Sequence, residues 1–157
     1  MDDCLNFTKI HPCALSPNRT TLQAAGYDLY TCEEVIIPPW SIKLIKTGII
    51  MKLPNDTYGR VTGRSGISLK NKLLVINGVI DSDYTGEIGV IVFNIDSNPQ
   101  KINQGFKIAQ IIIEQHKLPI LNECSLHEWS SLFNNQNNLR RNQGFGSSGN
   151  YKKFKNF

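Results

Sequence analysis

Long apolar runs, clustered cysteines and helical periodicity are what this sequence lacks, and each absence excludes a class of protein. Nothing in it approaches the ~20 consecutive apolar residues that cross a bilayer as a helix. The start, Met1-Asp2-Asp3-Cys4-Leu5, is acidic where a secretory signal or transit peptide would be basic. The four cysteines, Cys4, Cys13, Cys32 and Cys124, are scattered, and no pair has the short spacing of a zinc knuckle or redox motif. They read as reduced thiols, so the expected setting is intracellular, cytoplasmic or nuclear, and not secreted. His11, His116 and His127 lie far apart and suggest neither a metal triad nor a Ser/His/Asp set. Neither GxxxxGK[ST] nor a strand–helix GxGxxG is present. A net charge of +4 over 157 residues is too mild to argue for a nucleic-acid partner. Lysine outnumbers arginine, and Asn and Ile are abundant, a bias that fits an AT-rich genome, viral or parasitic.

What the chain does have is short β-branched runs separated by Gly, Pro and Asn. Glu34 to Ile37 is stopped by Pro38-Pro39. Ser41 to Ile45 alternates, with Ile42 and Leu44 on one side and Ser41, Lys43 and Ile45 on the other. Thr47-Gly48 ends it, and Ile49-Ile50-Met51 resumes. Leu73 to Ile76 is followed by Asn77-Gly78, the dipeptide of a two-residue hairpin. Ile88 to Ile95 and Ile108 to Ile113 are longer runs. Together they predict an all-β sandwich or barrel. Ser68 to Leu73 and Leu126 to Leu132 have room for one or two helical turns each, too little to build a layer.

A chain of this length forms one compact domain with its own core. Composition changes after Leu118. The expected organisation is a β-domain over 1–118, a linker over 119–139 with an Asn-rich insertion (Phe133 to Leu139), a flexible glycine-rich arm over 140–149, and a basic-aromatic tail over 150–157. A glycine-rich arm cannot fold alone and orders only on something it binds.

Four clusters have chemistry to offer. Gly63-Arg64-Ser65-Gly66 exposes backbone N–H groups and adds a fork of donors and a hydroxyl, which suits phosphate oxygens, although short Gly/Ser/Arg strings are more often ordinary turns. Asn77-Gly78-Val79-Ile80-Asp81-Ser82-Asp83-Tyr84-Thr85-Gly86 sets an apolar pair before an acid in a hairpin setting. Asp81 there can take a proton from water and Tyr84 can wall a base or sugar, although Asp and Gly are also what turns contain. Gln110, at the start of an apolar strand, needs a hydrogen-bond partner from backbone or ligand. The arm Gly144-Phe145-Gly146-Ser147-Ser148-Gly149, with Arg140 upstream, offers an aromatic plane, hydroxyls and N–H groups that could cover a nucleotide.

The order of these segments carries more than any one of them. Ala24-Ala25-Gly26-Tyr27-Asp28-Leu29-Tyr30, Gly63 to Gly66, Gly78 to Gly86, Gly105-Phe106-Lys107-Ile108-Ala109-Gln110 and Gly144 to Gly149 resemble the five ordered motifs of the homotrimeric dUTPases. The resemblance implies a jelly-roll-like β-domain assembled as a homotrimer. Its active sites would lie at subunit interfaces, each closed by a neighbour's C-terminal arm. It implies hydrolysis of dUTP to dUMP and pyrophosphate, with Asp81 deprotonating a water that attacks the α-phosphorus. Asn77, Gly78, Val79 and Ile80 would read uracil and exclude a 5-methyl group, and Tyr84 would reject a 2′-hydroxyl. Arg64, Ser65, Gly66 and Gln110 would hold phosphates. Arg140, Gly146, Ser147 and Ser148 would grip the γ-phosphate, and Phe145 would stack on the base. Mg²⁺ would sit on the triphosphate, with Asp28 reaching it through water.

Some residues depart from the resembled motifs. Lys107 stands where the fourth motif carries Arg, which keeps charge and loses the planar fork. Arg141 replaces a Gly, so Arg140 and Arg141 compete for one role, with spacing to Gly144 favouring Arg140. Ser148 replaces Thr, and the Gln110-to-Arg140 stretch is long. Two other readings are a dCTP deaminase of the same fold and a non-catalytic nucleotide-sensing module. The first would need an added acid–base group near C4 of the base, and Gly63 to Gly66 and the Asp81 segment favour dUTP hydrolysis instead; the second is opposed by the joint presence of Asp81, Tyr84, Arg64 and the Phe145 arm.

Overall fold

A computed structural model describes residues 4–133, and the chain divides into two compact units, Met1–Leu118 and Pro119–Phe157. The regular structure in the described part of the first unit is almost entirely antiparallel strand. Its strands are β1 (Asn6–Lys9), β2 (Tyr27–Tyr30), β3 (Val35–Ile37), β4 (Ile42–Lys46), β5 (Ile49–Lys52) and β6 (Thr57–Thr62), then β7 (Leu73–Val75), β8 (Gly78–Ile80), β9 (Gly89–Asn94), β10 (Gln100–Ile102) and β11 (Lys107–Gln115). One helix, α1 (Ser65–Asn71), interrupts them. The strands form a four-stranded sheet β2-β11-β6-β8, a three-stranded sheet β4-β9-β7, and the pairs β1-β5 and β10-β3. The all-β, jelly-roll-like expectation holds.

Alternation explains which faces close the core. In β6, Thr57, Gly59 and Val61 point inward, and in β9 Val90, Val92 and Asn94 do. Ile45, Leu73, Ile88, Val90, Val92 and Ile111 are fully buried. Apolar area removed from water there stabilises the fold at roughly 25 cal/mol per Å². Gly59 lies inside a strand because Ile111 occupies its side-chain space: a Cβ there would stand 2.7 Å from Ile111 Cδ1. The buried Asn94 is satisfied, its amide donating to the carbonyls of Ile37, Pro38 and Asn98. On a half-exposed face Arg60 donates twice to Glu114 Oε1, at 2.9 and 2.6 Å, and the Tyr58 hydroxyl donates to Glu114 Oε2.

The long apolar runs are strands as expected, at β9 and β11. Strand β6 escaped the pattern because Gly59 and Arg60 break its hydrophobic signal, although Thr57, Tyr58, Val61 and Thr62 all favour extended backbone. Helix α1 begins three residues before the expected Ser68 and ends at Lys72 (φ 51°, ψ 36°), leaving Leu73 to start β7.

Asn77-Gly78 is not a hairpin turn, and Asp81 is not in a hairpin. β7 pairs with β9, and β8 pairs with β6, so the chain changes sheets at Asn77. A type I′ turn needs positive φ at both central residues, and neither Asn77 nor Gly78 has it. The Ile76 N–H instead donates to Ile91 O at 2.9 Å, which holds the end of β7 to β9.

In the described part of the second unit, α2 (Leu126–Leu132) spans the helical segment expected there. Ser125 and Glu128 form a capping box: the Ser125 hydroxyl accepts from Glu128 N, and the Glu128 carboxylate accepts from Ser125 N.

Candidate active site

Strand β11 sits between β2 and β6 and sets two of the expected residues side by side. Gln110 pairs with Asp28 of β2 on one side and with Thr62 of β6 on the other. The register of β11 on β2 shifts between Lys107 and Ala109. That bulge lets both Ile108 and Ala109 turn into the core, while Lys107 reaches the Asp28 side. Gln110 Nε2 donates to Gly63 O at 3.2 Å, so its partner is backbone, and it steadies the turn that launches Arg64.

Asp28 is buried and meets two cations. Lys107 Nζ lies 2.9 Å from Asp28 Oδ2, and Arg64 Nη1 lies 3.3 Å from Oδ1. The Asp28 carboxylate beside it raises the Lys107 ammonium above its ordinary value, so Lys107 stays charged at neutral pH. Arg64 is the N-cap of α1 in extended conformation, with Ser65 and Gly66 in the first turn. A cleft of about 470 Å³ is lined by Arg64, Ser65, Gly66, Lys70, Phe106 and Lys107. Open N–H groups at a helix start and several cations suit an anion.

A second cleft, of about 450 Å³, is lined by Gly78, Val79, Ile80, Asp81 and Tyr84, together with Leu44, Lys46, Glu87 and Ile91. Asp81 is exposed at its edge, and its carbonyl accepts from Tyr84 N at 3.1 Å, which closes a turn. The Tyr84 hydroxyl donates to Glu87 O at 3.0 Å. Lys52 Nζ donates to Ser82 O at 3.2 Å, and Glu87 Oε1 accepts from Gly48 N at 2.8 Å. The 81–88 loop is therefore tied to β5 and its approach. Gly86 leaves space for the tyrosine, since a Cβ there would stand 2.6 Å from Tyr84 Cζ. Asn77 is exposed and does not line the cleft.

The single chain thus divides the expected residues between two clefts. Sequence reading missed Lys46, Glu87, Ile91 and Lys70, whose places depend on tertiary pairing. Arg140, Arg141, Phe145, Gly146, Ser147 and Ser148 lie outside the described residues.

These features define a class: an antiparallel, jelly-roll-like β-domain with one cationic cleft and one apolar cleft edged by a carboxylate and a tyrosine. The dUTPase family model matches residues 14–149, and the chain belongs to that family. It is 42% identical over 141 residues to the deoxyuridine 5'-triphosphate nucleotidohydrolase of Fowlpox virus (strain NVSL), a match covering 90% of this chain and 94% of that protein. A variant dUTPase of Staphylococcus bacteriophage 80alpha, solved with dUpNHpp, superposes with a TM-score of 0.80 at 26% identity, covering 94% of this chain and 99% of the other. A variant dUTPase from phage phi11 of S. aureus, whose structure details the coordination of a structural Mg(II) ion, matches with a TM-score of 0.74 at 26% identity over 80% of this chain and 99% of that one.

Proposed function

We propose that the chain hydrolyses dUTP to dUMP and pyrophosphate, with Asp81 as the base that activates water against the α-phosphorus. The observation that carries this reading is the cleft in which the β8 backbone, Asp81 and Tyr84 meet. Uracil lies against Gly78, Val79 and Ile80, with Asn77 beside them, and the apolar wall leaves no room for a 5-methyl group. Tyr84 packs on the deoxyribose and excludes a 2′-hydroxyl. Asp81 takes the proton of the attacking water. Arg64, Ser65 and Gly66 stabilise charge that gathers on the leaving pyrophosphate, and Gln110 supports them by holding the Gly63 carbonyl.

The separation of base cleft and phosphate cleft supports a homotrimer in which the sites are shared between subunits. Arg140, Gly146, Ser147 and Ser148 then close over the γ-phosphate of a neighbour's site, and Phe145 stacks on the base. Closure excludes water and strengthens each ionic contact.

Among the described residues no group of three or more His, Cys, Asp or Glu side chains could hold a metal ion. We place Mg²⁺ on the triphosphate and water, with Asp28 contributing through a water. The ion would supply charge neutralisation of the phosphates. The reaction would limit uracil incorporation into DNA and supply dUMP for dTMP synthesis. Among the described residues no helix is long and apolar enough to cross a membrane. The proposed substrate, dUTP, belongs to the nucleotide pools, and on that ground we place the enzyme inside the cell.

The test is pyrophosphate release from dUTP, dTTP, dCTP, dATP, dGTP and UTP, with ammonia followed on dCTP. Activity confined to dUTP is expected. Equal turnover of UTP would remove the Tyr84 role, and ammonia from dCTP would replace the reading with a deaminase.

A further inference from the structure

Thr20 belongs to none of the segments assigned above, yet it touches two of the charged groups at the cationic cleft. Its hydroxyl donates to Asp28 Oδ2 at 3.0 Å and accepts from Lys107 Nζ at 3.3 Å. The segment carrying it is pinned on two sides. Asp28 N donates to Asn18 O at 2.7 Å, and the Tyr30 hydroxyl donates to Asn18 Oδ1 at 2.6 Å.

A hydroxyl has one proton. Here the carboxylate takes it, so only lone pairs face the ammonium, and the direction of the Thr20–Lys107 bond is set. Lysine is a point charge on a flexible stem with three donors. Asp28 Oδ2 and Thr20 Oγ1 engage two of them, and the Tyr30 ring lies 5.8 Å from Nζ. One N–H remains for a ligand in the cleft that Lys107 lines with Arg64, Ser65 and Gly66.

We propose that Thr20 is a positioning residue for the triphosphate: by donating to Asp28 and accepting from Lys107, it fixes the Lys107 ammonium so that its free N–H meets a substrate phosphate. This rests on the dUTP-hydrolysis reading and adds a residue to it. Thr20 is exposed, so its replacement leaves the core intact.

The experiment compares Thr20→Val, Thr20→Ser, Lys107→Arg and the Thr20→Val/Lys107→Arg double variant by dUTP kinetics and by calorimetric affinity for dUpNHpp. Thr20→Val is expected to raise KM and weaken dUpNHpp binding by about tenfold, with kcat almost unchanged, as fits one hydrogen bond to a charged group. Thr20→Ser should match the parent. In the Lys107→Arg background Thr20→Val should cost little, because a guanidinium fork can grip Asp28 through two N–H groups without the hydroxyl. Parental KM and affinity in Thr20→Val overturn the proposal. So does a loss that Thr20→Ser shares, or one that persists undiminished in the Lys107→Arg background. A parent protein that binds dUpNHpp without releasing pyrophosphate from dUTP sinks the functional reading and leaves the affinities to decide Thr20; a parent that does neither sinks both.

Discussion

Replacing Gly86 with Ala isolates the placement of Tyr84 from its chemistry. A methyl at residue 86 would stand 2.6 Å from Tyr84 Cζ and 3.1 Å from Cε2, where ordinary contact begins at 3.4 Å. The backbone does not need glycine there, since Gly86 is not among the positive-φ glycines. Something must move, and the far end of a side chain 43% exposed moves more cheaply than a loop tied to β5. The ring therefore gives way by about 1 Å, and a displacement of that size at a reacting centre can cost up to about a hundredfold. The hydroxyl also leaves Glu87 O, a hydrogen bond worth about 1 kcal/mol. The exposed tip makes the cost to global stability small, below about 1 kcal/mol. The assay is kcat/KM for dUTP and for UTP from pyrophosphate release, beside a thermal melt. The dUTP/UTP preference should fall by about tenfold or more while the melting temperature barely changes. An unchanged preference would refute the claim that Tyr84, held in this pose, rejects ribose.

Three further outcomes are expected. Asp81→Asn keeps dUpNHpp binding and lowers kcat by about a hundred- to ten-thousandfold, the range of a lost general base; near-normal turnover removes Asp81 from that role. Truncation before Arg140 leaves the melting curve of the β-domain in place while dUTP turnover falls by about a hundredfold, and full activity would make the arm dispensable. Glu114→Gln tests an electrostatic contribution to folding. The Arg60 guanidinium, and then the Tyr58 hydroxyl, hold the Glu114 carboxyl below the usual carboxylate range. A depressed folded value contributes stability that is present above the unfolded value of about 4.3 and is lost as pH falls through the folded value. The melting temperature of Glu114→Gln should thus lie below the parent's at pH 7 and converge with it in acid; a pH-independent gap would deny the ionic origin.

Local chemistry made much of the fold legible before any coordinates. The β-branched runs of β9 and β11 read as strands because alternation and propensity agree there. Leu126 to Leu132 read as a short helix, and the structure adds the capping box that starts it. The segments around Asp28, Arg64, Asp81 and Gln110 were visible only together, through the family resemblance that their order carries, because each taken alone is also an ordinary turn or strand.

What the sequence by itself determined is the all-β class and the set of residues from which a site can be drawn. Tertiary structure alone decided how those residues combine. Asn77-Gly78 has the residue types of a hairpin, yet β7 pairs with β9 and β8 with β6, in different sheets. Gln110 could have served a ligand or the backbone, and only the register of β11 against β6 brought it to Gly63. The Thr20–Asp28–Lys107 contact joins residues far apart in the chain, as does the tie between Gly48 and Glu87. Such contacts leave no periodic trace, because they depend on strand register and on a bulge, and register is set by the whole buried face at once rather than by neighbours in sequence.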